Sequence, residues 1–273
     1  WSFAEIRKAN LFISRVSNAP IAEEAQKHWL GVGRFLRALS YYDMVKSFGD
    51  VPWYDNVPVE TDDAELYKPR ESRVTVLQKV LEDFKYAAEN VRAADGTAKQ
   101  TINKWVVMAF MSKVFLFEGT WEKYHNTPGG KSTEFLEAAK WAANEVITKS
   151  GATISNNYRA IFNSENLDSN SEVLLFRKYV AGTGGVTHCL MSYVNRESQT
   201  GPNKTFIDAY LCKDGLPIAL SALYQGDTGI AKVTANRDPR MTATFNGTEI
   251  RPNGTYGLNN LYGITSSGYA TLK

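Results

Sequence analysis

The sequence predicts a mainly α-helical protein, with a tetratricopeptide-like scaffold of helix pairs and an irregular, loop-rich second part that contains a few short strands. Three observations support this fold class. Apolar residues recur at steps of three and four through residues 1–150, capping residues stand at the ends of these patterns, and the periodicity fades after Gly151. We therefore expect a helical scaffold over residues 1–150 and an irregular ligand-binding part over residues 151–273, packed on the same domain.

The longest predicted helix starts before residue 34 and continues into residues 34–58, which read RFLRALSYYDMVKSFGDVPWYDNVP. Gly49 is expected to end it, because glycine can take the left-handed conformation past the last turn, and Pro52 cannot donate to a continuation. The apolar stripe along its roughly seven turns alternates steps of four and three. The stripe consists of Ala25, Trp29, Val32, Leu36 and Leu39.

Further helices of similar length are indicated by apolar stripes over residues 74–91 and 135–146. Small residues on these stripes would let neighbouring helices approach closely, as in tetratricopeptide-like stacks, although no strict repeat is visible. Capping residues agree with the periodicity. The predicted N-caps are Ser72, Asn103 and Thr133, and the glycines expected just past helix ends are Gly119 and Gly151.

The second half of the chain reads as irregular structure. Residues 173–180 form a short apolar and β-branched run that fits a strand, and the pairs Asp214-Gly215 and Asn246-Gly247 predict tight turns. Residues 181–205 are rich in glycine, hydroxyl and amide side chains and lack helical periodicity. Long loops on a rigid scaffold often carry binding residues, so we expect ligand contacts here.

Composition argues against several functions. The formal net charge of +2 arises from 31 basic and 29 acidic residues that are interspersed, which does not form the basic stripe that nucleic-acid binding needs. The longest apolar run, over residues 105–117, is interrupted by Ser112 and Lys113 and is shorter than the roughly 20 residues that span a bilayer. We therefore expect neither nucleic-acid binding nor a transmembrane helix.

Cysteine and histidine usage predicts no metal site. Cys189 and Cys212 could pair in an exported protein, but free buried thiols are favoured because a chain of 273 residues needs no disulfide to fold. The chain has three histidines, and none is spaced from another histidine or from a cysteine like a zinc ligand. We expect no metal and no cofactor.

The stretch RFLRALSYYDMVKSFGDVP resembles the most recognisable segment of the SusD/RagB family. Other segments occur in the order that the family shows: IRKAN before this stretch, and then LEDFKYAAENV, SEVLLFRKY, YLCKDGLPI, NRDPRM and TSSGYATLK after it. Together they span nearly the whole chain, although residues 181–205 match no family pattern. The resemblance implies the SusD-like fold. It also implies a fragment of a longer protein, without the N-terminal signal region and lipidated cysteine and without the final helices.

The resemblance further implies a non-catalytic function. Family members are expected on the outer face of the outer membrane of Bacteroidetes bacteria, where they capture oligosaccharides or polysaccharides and deliver them to a SusC-like TonB-dependent transporter. Contact with the membrane would be made only through a lipid anchor that is absent from these residues. The helical face would dock on the transporter.

Tyr193 is the candidate centre of a glycan-binding site, with His188, Asn195 and Arg196 close to it in the polar loop. Sugars have apolar C–H faces that stack on aromatic rings and hydroxyls that pair with amide, guanidinium and imidazole groups. The family resemblance supports this site by location only, because glycan contacts in the family come from variable loops such as the one after SEVLLFRKY. An ordinary loop remains an alternative.

Other readings were weighed against glycan capture. No catalytic constellation is visible: the acidic run at Asp62 and Asp63 reads as a solvated surface, and Asp238 and Arg240 in NRDPRM are expected to brace a turn. Trp53, with the tyrosine after it, could form an exposed stacking platform or lock the turn after the long helix. The alternative function is a helical-repeat scaffold that binds peptide or protein, as helix-pair stacks commonly do.

Overall fold

The computed structural model describes residues 2–59, 61–164, 166–179 and 202–244. Contacts divide the chain into two compact units. Unit 1 comprises Trp1–Ile154 with Ser171–Arg177, and unit 2 comprises Ser155–Asn170 with Lys178–Lys273. The expectation that residues 151–273 form a ligand-binding part packed on the same domain stays a prediction.

Unit 1 is built from consecutive helices. Its packed pairs are α1 with α2, α2 with α4, α4 with α5, and α5 with α6, so successive long helices pack side by side. This arrangement confirms the mainly helical fold class with a helix-pair scaffold. The helices are α1 Ala4–Ser17, α2 Glu23–Phe48, α3 Asp63–Leu66, α4 Arg73–Asn90, α5 Lys104–His125 and α6 Ser132–Lys149.

Several predicted helix ends are confirmed. Gly49 follows α2 with φ +71°, and Gly151 stands just beyond α6 with φ +74°. The Ser72 side chain accepts a hydrogen bond from the Thr75 N–H at the start of α4. Asn103 accepts from two backbone N–H groups at the start of α5. The serine and asparagine side chains satisfy unpaired backbone N–H groups at helix starts, and the two glycines adopt the positive φ that lets the chain leave the helix.

Two predicted boundaries are wrong. Gly119 lies inside α5 rather than past its end, and a Cβ at this position would approach Leu136 Cγ to 2.7 Å. Gly119 therefore lets α6 pack close to α5, whereas the sequence predicted that it ends a helix. Thr133 lies within α6 and is not its N-cap. The start of α6 is capped from outside the helix, because Glu122 on α5 accepts a hydrogen bond from the Lys131 N–H.

The buried face of α2 also differs from the predicted stripe. Leu36 is 43% exposed and Trp29 is 39% exposed, whereas His28 and Arg37 are buried. Both buried polar side chains have partners: His28 accepts from the Arg92 N–H, and Arg37 pairs with a carboxylate on α4. Partnered polar residues thus occupy core positions that an apolar pattern assigns elsewhere.

The segment after α2 is locked to the helix core. Trp53 is buried, and its ring stacks on Tyr41 with centroids 4.1 Å apart. The Tyr41 hydroxyl accepts from the Tyr54 N–H at 2.6 Å and donates to the Tyr54 carbonyl at 3.2 Å. The alternative of an exposed stacking platform at Trp53 and Tyr54 is therefore wrong.

The described residues of unit 2 form short helices joined by loops. Three buried apolar residues, Ile207, Val233 and Met241, form its hydrophobic cluster. An Asp214-Gly215 turn is confirmed by the hydrogen bond from the Gly215 N–H to the Cys212 carbonyl at 2.9 Å. The helices are α7 Tyr158–Asn163, α8 Lys204–Asp208, α9 Ile230–Thr234 and α10 Pro239–Thr244.

The strand predicted over residues 173–180 is wrong where the structure describes it. Residues 173–179 form no strand, and Phe176 donates its N–H to the Lys99 carbonyl at 2.9 Å. Strand pairing in the described part of the chain is limited to isolated bridges, Val51 with Glu71 and Cys212 with Arg237. The Asn246-Gly247 turn lies outside the described residues.

Candidate functional site

The four residues proposed from sequence as a ligand site, His188, Tyr193, Asn195 and Arg196, lie outside the described residues. Cys189 lies outside them too, while Cys212 is a buried thiol. The candidate site that the structure does describe is a pocket of unit 2 with a volume of about 410 Å³. Its lining consists of Tyr158, Phe206, Ala209, Tyr210, Leu211, Asp238 and Arg240.

The aromatic wall of this pocket is positioned by α8. The Asn203 side chain accepts from the Phe206 N–H at 2.8 Å, which fixes the start of the helix. Phe206 lies on α8 and Tyr210 lies two residues past its end, and their rings meet edge to face with centroids 5.7 Å apart. Phe206 is 51% exposed and Tyr158 of α7 is 36% exposed. The pocket therefore presents partly open aromatic surface.

A buried guanidinium supports this wall. Arg237 donates from Nη2 to the carbonyls of Ile207 and Tyr210 at 2.8 and 2.6 Å, and from Nη1 to that of Val233 at 3.0 Å. These bonds join the end of α8 to α9. The next residue, Asp238, donates its N–H to the Leu211 carbonyl at 2.9 Å, which brings the Asp238 side chain to the pocket.

Asp238 and Arg240 form an ion pair at the edge of the pocket. Asp238 Oδ1 accepts from the N–H and Nε of Arg240 at 2.8 and 3.0 Å, and Oδ2 accepts from Nη2 at 2.5 Å. The hydrogen bond from the Arg240 side chain holds the pKa of Asp238 below its ordinary value. The pair braces the start of α10, which confirms the turn-bracing role predicted for NRDPRM.

The chemistry of this pocket suits binding better than catalysis. Partly exposed aromatic rings can stack on the C–H faces of a sugar, while phenol and guanidinium groups can pair with hydroxyls. Acid–base cleavage of a glycosidic bond needs two available carboxyl groups. Among the described lining residues the carboxylate is Asp238, and both of its oxygens are bound to Arg240.

Unit 1 contains a larger pocket of about 490 Å³ between α1 and the segment after α2. Two of its polar side chains are already engaged: Asn10 Nδ2 donates to the carbonyls of Tyr54 and Asn56 at 2.8 Å, and the Tyr54 hydroxyl donates to the Leu66 carbonyl at 3.0 Å. Its Tyr54 ring is buried, so this pocket offers less open aromatic surface than the unit 2 pocket does. We therefore favour the unit 2 pocket.

Two searches of the described residues gave no site of another kind. No group of three or more His, Cys, Asp or Glu side chains within them could hold a metal ion. None of the helices in the described ranges has the length and apolar character needed to cross a membrane.

Sequence reasoning did not single out the aromatic residues of this pocket. The N-cap Asn203, followed by aromatic residues three and seven positions later, is a local signal for aromatic side chains on α8 and just past its end. No local signal links that face to Tyr158 or to Arg240, because contacts distant in sequence bring them together.

Comparisons with known proteins agree on one family. Residues 2–116 match a SusD-like family described as starch-binding and associating with the outer membrane. A SusD-like protein of Bacteroides ovatus is 25% identical over 185 residues, which is 66% of this chain and 32% of the relative. The chain thus spans about a third of the length of this curated relative.

Solved structures share the fold. A SusD-like carbohydrate-binding protein of Bacteroides fragilis superposes with a TM-score of 0.74 at 20% identity, covering 98% of this chain and 52% of that chain. A protein solved with xylogluco-oligosaccharide superposes with a TM-score of 0.57 at 22% identity, covering 89% of this chain and 45% of that chain. The helical scaffold and the second part therefore have counterparts in known structures.

Proposed function

We propose that this chain is a member of the SusD-like family, whose model its residues 2–116 match, and that it captures oligosaccharides without cleaving them. The observation that carries the proposal is the unit 2 pocket, in which Tyr158 and Phe206 expose aromatic surface beside Arg240. Aromatic faces next to hydrogen-bonding groups are the combination that sugar rings require. The oligosaccharide bound to one structural neighbour supports the same ligand class.

The second part of the proposal concerns delivery. We propose that the complete protein sits on the outer face of the outer membrane through a lipid anchor and passes its ligand to a SusC-like TonB-dependent transporter. The family description, which includes association with the outer membrane, supports this location. Capture from a partly open pocket suits release, because moderate affinity allows the ligand to move on.

The polar loop predicted from sequence remains part of the proposal. His188, Tyr193, Asn195 and Arg196 lie within the twenty residues before α8 in the chain. We propose that they add aromatic and polar contacts to the same ligand. Alanine at Tyr193 should then weaken glycan binding, which titration calorimetry would measure.

The proposed function is tested by affinity electrophoresis against a panel of polysaccharides, followed by titration calorimetry with oligosaccharides of whichever one binds. Phe206→Ala should weaken binding about tenfold, or about 1.4 kcal/mol, because it removes the most exposed ring of the pocket. Tyr124→Ala on α5 is the matched control, since this ring is 74% exposed but lies in unit 1. The control should bind like the wild type.

The outcomes separate the alternatives. Binding of a glycan with unchanged affinity in Phe206→Ala would show that the ligand sits elsewhere on the protein. Failure of every glycan, with binding of peptides from a parallel panel, would favour the helical-repeat scaffold that binds peptide. Release of reducing sugar ends from any polysaccharide would contradict a non-catalytic role.

A further inference from the structure

We propose that the unit 2 pocket selects neutral oligosaccharides over acidic ones, because Asp238 already neutralises the arginine that faces the ligand. This inference rests on the proposed function, since it names the class of glycan that the pocket takes. It concerns the charge of the ligand.

Both carboxylate oxygens of Asp238 contact the Arg240 side chain. Arg240 Nε approaches both Asp238 oxygens, at 3.0 and 3.1 Å, and Nη2 approaches Oδ2 at 2.5 Å. The Asp238 side chain is 16% exposed, whereas that of Arg240 is 67% exposed. The guanidinium therefore covers its carboxylate and presents its own outer edge to solvent.

Arg240 keeps hydrogen-bond donors for a ligand. Its Nε and Nη2 make the contacts to Asp238, and within the described residues its Nη1 makes no hydrogen bond. Two N–H groups fixed in a plane can donate to the oxygens of neighbouring sugar hydroxyls. The fixed pair thus works as a neutral donor, and Asp238 acts as a positioning residue.

The same geometry disfavours a carboxylate ligand. A uronic acid bound at Nη1 would bring a second negative charge close to Asp238, and the repulsion would offset its attraction to the guanidinium. A lone arginine would show the opposite preference, because arginine binds carboxylates bidentately. Neutral hydroxyls avoid this repulsion.

The cation of α8 near the aromatic wall, Lys204, already has partners. Lys204 pairs with Asp208 at 2.7 Å and with Asp227 at 3.2 Å. Arg237 is buried and bound to backbone carbonyls, so it cannot reach a ligand. Arg159 on α7 also has an interaction partner. A ligand carboxylate would therefore find Lys204, Arg237 and Arg159 already engaged.

The test compares each neutral glycan with its own acidic form. Neutral β-glucan and xyloglucan oligosaccharides are oxidised at C6 to uronic acids, which preserves the ring faces and changes the charge. Titration calorimetry on the wild type should give at least tenfold tighter binding of the neutral form. Equal or tighter binding of the oxidised form would overturn the proposal while leaving glycan capture intact.

Variants of Asp238 and Arg240 test whether this ion pair causes the preference for neutral sugar. Asp238→Asn keeps an oxygen that can accept from the Arg240 N–H but frees the guanidinium charge, so it should narrow or reverse the preference for neutral sugar. Arg240→Gln should weaken binding of the neutral form while keeping the preference. If Asp238→Asn is folded by circular dichroism and retains the wild-type preference, the pair does not set selectivity. If the wild type binds no glycan in either form, both the inference and the proposed function fail.

Discussion

Arg37 and Asp83 form a bidentate ion pair inside unit 1. Arg37 Nε donates to Asp83 Oδ2 at 2.7 Å, and Nη2 donates to Oδ1 at 2.8 Å. The remaining nitrogen, Nη1, donates to Asn10 Oδ1 at 3.0 Å and to the Asp55 carbonyl at 3.2 Å. One side chain of α2 therefore binds α4, α1 and the segment after α2 together. The scaffold depends on a polar centre as well as on its apolar core.

Removing one partner of this pair should be costly. We expect Asp83→Asn to lower the free energy of unfolding by about 3–5 kcal/mol, because it leaves the Arg37 charge buried without a counter-ion. Urea denaturation measures the change. Asp43→Asn is the control, since Asp43 pairs with Lys46 at 3.0 Å on the surface and such pairs contribute less than about 1 kcal/mol.

The double variant Arg37→Met with Asp83→Leu separates burial of a charge from loss of an interaction. It should recover much of the stability lost in Asp83→Asn, because no unpaired charge remains. A double variant as unstable as the single one would mean that the hydrogen bonds to Asn10 and Asp55 matter more than the ion pair.

Gly119→Ala should destabilise the contact between α5 and α6. An added Cβ would lie 2.7 Å from Leu136 Cγ and 3.1 Å from its backbone nitrogen, so the helices would have to separate. We expect a loss of about 1–3 kcal/mol, despite alanine's advantage of about 1 kcal/mol in helix propensity. Thermal unfolding tests this, with Lys113→Ala on the exposed side of α5 as the control. A more stable Gly119→Ala protein would show that Leu136 can move aside.

Arg237→Lys should weaken unit 2 selectively. Lysine cannot reproduce a fork that reaches the carbonyls of Ile207, Tyr210 and Val233, so these buried acceptors would lose their donor. We expect a loss on the order of 3 kcal/mol, because hydrogen bonds to charged groups contribute about 1.5–3 kcal/mol each. Limited proteolysis should cut residues 202–244 faster than in the wild type. The exposed Lys232→Gln control should be cut at the wild-type rate; acceleration confined to other regions would contradict the prediction.

The sequence predicted the helices well because their ends are encoded locally. Ser72 and Asn103 cap their own helices, and Gly49 takes a positive φ, so each signal depends on neighbours in the chain. Gly119 misled because its role depends on Leu136 of another helix, and Thr133 misled because the N–H of Lys131 at the start of α6 is bound by Glu122 of α5. A glycine that stops a helix and a glycine that admits a neighbouring helix look the same in a single sequence.

The buried face of α2 and the candidate site were harder to predict for the same physical reason. Arg37 is buried only because Asp83 meets it, and no apolar pattern reveals such a partner. In the pocket, Tyr158, Phe206 and Arg240 come from three separate helices and are assembled by long-range contacts. The sequence indicated the class of ligand through composition and family resemblance, but not these residues.

The last prediction concerns pH and His28, which is fully buried on α2. Its Nδ1 accepts from the Arg92 N–H at 3.2 Å, so a neutral ring carries its proton on Nε2, which lies 3.5 Å from Asp95 Oδ2. Burial lowers the pKa of His28 below 6.5; Arg92 lowers it further, whereas Asp95 and Glu24 oppose the shift. The unfolded chain therefore binds a proton at a higher pH than the folded chain does.

The free energy of unfolding should accordingly fall as pH drops below about 6.5, by at most about 1.4 kcal/mol per pH unit, until the folded-state pKa is passed. Urea denaturation between pH 7.5 and 5.0 measures this slope in the wild type and in His28→Asn, whose side-chain oxygen can still accept from the Arg92 N–H. Burial raises the pKa of Glu118 and Glu122, which pushes stability in the opposite direction, but both carboxyls are present in each protein and cancel in the difference. The difference in free energy of unfolding between the wild type and His28→Asn should shrink toward low pH. A curve for His28→Asn that runs parallel to the wild-type curve would show that His28 does not control the acid response.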